Sequence, residues 1–209
     1  MGIPVLILGD SGSGKSSSLR NFKPEELGVF NVAGKPLPFR NALPTLQNAR
    51  YDSIIKMLSK PSKKVYVVDD AQYLMVFEAF AKAKETGYGK FTDMALNYYG
   101  LIQFVIQNTP PDVIVYFLQH TERDENGRLH AKTLGKMLDS QLTVEGLFSI
   151  VLHCQTDGVR HFFATQSDGN STAKSPMGMF DREIDNDLKM VDTVIREYWG
   201  LNENGGNEE

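Results

Sequence analysis

Gly9 to Ser16 reads GDSGSGKS and fits the spacing G-x-x-x-x-G-K-[ST]. Gly9, Gly12 and Gly14 let the backbone turn through positive φ, so that successive N–H groups can converge on an anion. An apolar run, Ile3–Leu8, precedes this loop and a helix-forming stretch begins at Lys15. In that context a helix N-terminus completes a phosphate site. Lys15 is then expected at the β- and γ-phosphates and Ser16 at a Mg²⁺ ion, with Asp10, Ser11, Ser13 and Ser17 filling out the cradle. The ligands this spacing predicts are ATP and Mg²⁺; the alternative is a Gly-Ser turn with no ligand.

Such a site needs a carboxylate at the end of a later buried strand. Lys64–Asp70 reads KVYVVDD, an apolar run closed by two acids. Asp69 is the candidate for the Mg²⁺ shell, through water. Asp70 either orients a water for attack on the γ-phosphate, with a side chain one methylene shorter than the Glu common at that position, or caps a helix starting at Ala71, since Asp is a favoured capping residue. A third apolar run, Val113–Leu118, ends in Gln119 and His120. One of these polar side chains is expected to hydrogen-bond the γ-phosphate or its water; the other reading is that they only cap the strand.

These residues require elements that bring them to one edge. Strands are predicted at Ile3–Leu8, Val29–Val32, Val65–Val68, Val113–Leu118 and Phe148–Leu152, each a short apolar run suited to burial on both faces. Helices are predicted at 15–21, 45–59, 71–84, 92–108, 133–146 and 186–199. The alternation implies an α/β domain spanning 1–200, with a mostly parallel central sheet and helices on both faces. Val159–Thr165, after the turn sequence QTDG, is expected to add an antiparallel hairpin at the sheet edge. Residues 201–209, LNENGGNEE, read as an acidic flexible tail.

In a parallel sheet the strand C-termini open on one side. The loops 33–44 and 120–136 should therefore border the nucleotide, with Lys35, Arg40, Arg123, Arg128, Lys132 and Lys136 as their cations. These either contact a nucleic-acid backbone or are solvated and balanced by Glu122, Asp124 and Glu125. The hairpin should carry 166–176 to the far end. Lys174 is then placed to reach a neighbouring subunit's phosphates, or is a plain surface lysine. His153, Cys154 and His161 are a weak metal candidate lacking a fourth ligand. Tyr88, Phe91, Tyr98 and Tyr99 read as base-stacking residues or as packing.

Composition narrows the classes. The 209 residues carry 22 Lys plus Arg against 26 Asp plus Glu, a net charge of −4, so nucleic acid would have to be met by a local patch. One cysteine excludes an intramolecular disulfide and any multi-cysteine zinc site, which fits a reducing cytoplasm. No run approaches the roughly 20 apolar residues of a membrane span, and neither membrane contact nor secretion is expected.

Taken in order, GDSGSGKSSSLRNF, VYVVDDAQYLM, YGKFTDMALNYYGLIQFVIQ, FLQHTERDENGRLHAKTLGKML and TAKSPMGMF resemble the RecA-like P-loop ATPases encoded by bacteriophages, a group that includes single-strand annealing proteins related to the RecA and RadA core. The likeness runs from Ile3 to about Phe180. It implies a bare ATPase core forming a ring or filament. Its implied partners are single-stranded DNA and phage single-strand binding or replication proteins in the bacterial host cytoplasm. It also implies hydrolysis in which Lys15, Asp70, Gln119, His120 and, across subunits, Lys174 take part. The sequence departs from that pattern twice. The strand after the phosphate loop ends Phe30-Asn31-Val32-Ala33 with no carboxylate, which moves the base role to Asp70, and Pro176 stands where a K-x-R pair would place Arg. The other function classes compatible with these residues are a P-loop kinase of a small acceptor and an ATP-switched regulator or loader gripping a protein partner.

Overall fold

The structure, a computed structural model, describes residues 1–87, 89–134 and 143–201. An eight-stranded sheet forms its centre. The strands are β1 (Ile3–Leu8), β2 (Leu27–Asn31), β3 (Thr45–Gln47), β4 (Val65–Asp69), β5 (Ile114–Gln119), β8 (Ile150–Thr156), β9 (His161–Ala164) and β10 (Glu183–Asp185), and their spatial order is β10-β9-β8-β1-β5-β4-β2-β3. Every pairing from β3 to β8 is parallel, while β8–β9 and β9–β10 are antiparallel. The expected α/β class, parallel centre and hairpin extension are all present.

Alternation along the strands splits the core in two. Leu6 and Leu8 of β1 face the layer built by α1 (Tyr51–Leu58), α2 (Tyr73–Ala81) and α3 (Gly89–Asn108). Val5 and Ile7 face Leu19, Phe22 and the buried stripe Leu188, Val191 and Ile195 of α4 (Leu188–Tyr198). α4 starts where Asp187 caps it, its carboxylate accepting from the Lys189 and Met190 N–H groups at 3.0 and 3.4 Å. Burial on both faces explains why the sheet strands read as continuous apolar runs.

Several predicted boundaries shift for local reasons. The stretch 45–59 is not one helix: Thr45–Gln47 pairs with β2, Asn48 turns the chain through φ +54°, and only then does α1 begin. Asn tolerates the left-handed region where most residues do not. The predicted helix 15–21 is a 3₁₀ stretch, Ser16–Asn21. In it the Ser18 hydroxyl donates to the Lys15 carbonyl at 2.5 Å, the local competition that makes serine runs poor α-helix formers. Helix α2 starts at Tyr73 rather than Ala71 because Asp70 lies at φ +60°.

The loop 120–136 is partly ordered as a hairpin of β6 (Thr121–Arg123) and β7 (Leu129–Ala131). Asp124 accepts the N–H groups of Asn126 and Arg128 at its tip. Most of the predicted helix 133–146, Lys136, Tyr88 and tail residues 202–209 lie outside the described residues; Val144–Leu147 form a 3₁₀ turn. No helix among the described residues is long and apolar enough to cross a membrane.

Candidate functional site

The loop after β1 is curled and tied down. Gly12 and Gly14 take φ +80° and +102°, and the Ser13 N–H bonds back to the Asp10 carbonyl at 3.1 Å. A Cβ at Gly9 would stand 2.6 Å from the Cys154 carbonyl oxygen, so β8 admits only glycine there. On its outer side the loop is held by the hairpin end of the sheet. The Ser13 carbonyl lies 2.7 Å from His161 Nδ1 and 3.0 Å from the Cys154 thiol, and Asn186 donates to the Gly14 carbonyl at 3.2 Å. Thr121 on β6 bonds the Asp10 carboxylate. His161, Cys154, Asn186 and Thr121 thus position the loop.

Lys15 is nearly buried, and its ammonium donates to the carbonyls of Gly9 at 2.6 Å and Asp10 at 2.9 Å. Burial lowers its pKa, partly offset by the nearby acids. Ser16 Oγ donates to Asp69 Oδ1 at 2.8 Å, which brings the hydroxyl after the loop lysine to the acid that closes β4. Burial pushes the Asp69 carboxyl up, against the lowering effect of that hydrogen bond.

Asp70 points into the same space. Its carboxylate pairs with Lys35 Nζ at 2.7 Å and His120 Nε2 at 3.3 Å. Burial alone would raise its pKa, yet the hydrogen bonds from His120 and Lys35 hold it down at about 2. The capping alternative is not what the structure adopts: Gln72 occupies the N-cap of α2, and it is the Asp70 carbonyl, not its carboxylate, that accepts the Tyr73 N–H at 2.9 Å. A non-glycine residue in the left-handed region at a strand end is strained, a feature that clusters at functional sites.

Together Ser11, Gly12, Gly14, Lys15, Ser16, Ser17, Lys35, Pro36, Pro38, Asp69, Asp70, His120 and His161 line a cleft of about 260 Å³. It lies along the C-terminal ends of β1, β2, β4 and β5, where a parallel sheet presents ligand sites.

Of the predicted site residues, Gly9, Asp10 and Ser13 line an adjoining cavity on the other side of the loop's Ser11–Gly12 turn, and Gln119 is not brought to the cleft. Gln119 is fully buried, its amide oxygen accepting from Tyr98 at 2.5 Å and its amide nitrogen donating to the Lys132 carbonyl at 2.6 Å, so neither end is directed at the cleft. Of the strand-end pair, His120 faces the cleft. Lys174 pairs with Val151 through main-chain bonds at 2.8 and 2.9 Å near the start of β8, the far end of the sheet where the sequence predicts it, and so lies away from its own chain's cleft. Conversely Lys35 lines the cleft, although the sequence marks it only as one of several loop cations. The available signal was its place just after a strand C-terminus.

Among the described residues no three His, Cys, Asp or Glu side chains are grouped to hold a metal ion. His153 instead bonds Thr172 at 3.1 Å and is buried. Ser16 and Asp69 supply two adjacent oxygen donors, which suits Mg²⁺, an ion that keeps several waters and binds through one or two protein ligands plus substrate phosphates. No family model matches the chain, and no curated protein matches it.

Proposed function

We propose that this protein is a P-loop NTPase that binds Mg-ATP in the cleft over the glycine-rich loop and hydrolyses it. The single observation that carries the reading is the Ser16–Asp69 contact at 2.8 Å, made while Lys15 bonds back onto its own loop beside it. Residues distant in sequence converge on the constellation that grips a triphosphate. The residues present fit a Mg²⁺ ion, which when bound would neutralise phosphate charge. The loop N–H groups and Lys15 would bind and orient the phosphates. Asp70 would hold a water in line with the γ-phosphorus.

With its carboxyl held at about 2, Asp70 is a weak base. It therefore acts by orienting the water rather than by keeping its proton. Water oxygen bonds to the γ-phosphorus, the bond to the β-bridging oxygen breaks with its electron pair leaving on ADP, and the water's proton passes to the product phosphate. Positioning and charge neutralisation supply the rate. The finer assignment, a phage RecA-like ATPase assembling with single-stranded DNA, rests on the sequence resemblance. A sizing measurement with Mg-ATP analogue and single-stranded DNA tests it, and a monomer under all conditions would overturn it.

The direct test of nucleotide handling is calorimetric titration with Mg-ATP alongside phosphate release. The wild-type chain is expected to bind and turn over ATP. Lys15→Ala should lose binding. A wild-type chain with no affinity for ATP would overturn the reading.

A further inference from the structure

The cleft contains a second lysine that the phosphate-loop pattern does not supply. Lys35 lines the same cleft as Lys15, and its ammonium sits 2.7 Å from Asp70 in a pocket lined also by Ser16, Asp69 and His120. Its backbone is built into place rather than left in a wandering loop. Asn31, buried at the end of β2, accepts the Gly34 N–H at 2.8 Å and donates to the Lys35 carbonyl at 2.5 Å, while Gly34 turns through φ +70°. Pro36 and Pro38 stiffen the segment that follows. The side chain, by contrast, is 61% exposed and crosses the face of Tyr73 at 5.3 Å from the ring centroid. A fixed main chain with an exposed ammonium is suited to exchange partners, because solvent-exposed ion pairs are weakly held.

We propose that Lys35 is a γ-phosphate-contacting catalytic residue supplied by the same chain, and that ATP draws it from Asp70, leaving that carboxylate free to orient the water. This rests on the Mg-ATP reading above. Lys35 and His120 occupy both oxygens of Asp70. A triphosphate bound in the cleft that both lysines line offers Lys35 a more highly charged partner. The exchange couples the presence of the third phosphate to the release of Asp70, whereas ADP lacks that phosphate and leaves the pair intact.

The test compares ATP and ADP affinities by titration calorimetry in wild type, Lys35→Ala, Asp70→Asn and the double variant, each first checked for an unchanged melting temperature. Lys35→Ala is expected to weaken ATP about tenfold or more, the scale of one charge-assisted hydrogen bond, while ADP stays within about twofold. Turnover should fall with it, and Lys35→Arg should restore part of the preference for ATP. Asp70→Asn should tighten ATP, and that gain should vanish when Lys35 is also Ala.

Mixing Lys35→Ala with Lys15→Ala chains should restore no turnover; recovery would show that the lysine acts across subunits and overturn the proposal. Equal losses of ATP and ADP affinity, or none, would also overturn it while leaving the Mg-ATP reading standing. A wild-type chain that binds neither nucleotide would overturn both.

Discussion

Cys154 is 2% exposed and its thiol donates to the Ser13 carbonyl while accepting from Asn186, so its role is to fasten the glycine-rich loop to β8. Burial pushes the thiol up to about 11. Since the thiolate is the reactive form, labelling with a thiol reagent at pH 8 should be negligible in the native protein and complete after denaturation. Fast native labelling would show that β8 does not cover the loop. The neighbouring His153 is the more sensitive probe. Burial depresses it from an ordinary 6.5 to about 4.

The sign of the His153 effect follows from which state takes the proton. Above pH 6.5 the imidazole is neutral folded or unfolded and its contribution to stability is fully present. As pH falls toward 4 the unfolded chain takes a proton that the folded chain refuses, and stability drops by on the order of 3 kcal/mol. Urea midpoints at pH 7 and pH 4.5 should show this drop in wild type and a smaller one in His153→Gln. An unchanged drop would place the acid sensitivity elsewhere.

At the scale of elements, the glycine-rich loop is rigid because its curvature and its neighbours demand the same residue. Gly14 has φ +102°, and a Cβ there would also stand 3.0 Å from the His161 ring. Gly14→Ala should cost about 1–3 kcal/mol from backbone strain alone and weaken nucleotide binding, readable together as a lowered melting point and a raised Kd. Loss of stability with unchanged binding would separate the loop's shape from the ligand.

This is also the scale at which the sequence was most and least legible. The order strand, glycine loop, acid-terminated strand is local chemistry, and Gly9–Ser16 with Asp69 could be read directly. The pairing of Thr45–Gln47 with β2 and of Glu183–Asp185 with β9 could not, because such short runs carry too little periodicity to outweigh a neighbouring helical pattern. The choice between Gln119 and His120 was not legible for a related reason. The position of Gln119 at a strand end was evident, but that its amide is spent on Tyr98 and Lys132 depends on where α3 and the segment after β7 pack. Lys35 was visible only as charge, because the Asn31 side chain that aims its loop had no reason to stand out.

For the whole molecule, α4 joins parts of the chain far apart in sequence. Asp192, buried, accepts from Tyr116 of β5 at 3.1 Å and from Arg196 at 2.8 Å. Arg196 goes on to the carbonyls of Asp112 and Lys64, one at the entry to β5 and the other to β4. Removing the acid leaves the buried Tyr116 hydroxyl without its acceptor and Arg196 with main-chain carbonyls but no carboxylate to balance its charge. Asp192→Ala is therefore expected to destabilise by about 3 kcal/mol, with Asp192→Asn milder. Chemical denaturation checks both, and a loss below about 1 kcal/mol would mean that α4 is held by its apolar stripe alone.

The sheet ends at β3 and β10, each of three residues. Strands that brief give an incoming chain very few main-chain groups to zip onto, which discourages runaway polymerisation through edge-to-edge pairing. Among the described residues, side chains on the helical faces and loops offer a better surface for self-association than these two sheet edges. It is there, rather than along the backbone, that substitutions should tune assembly without touching the fold.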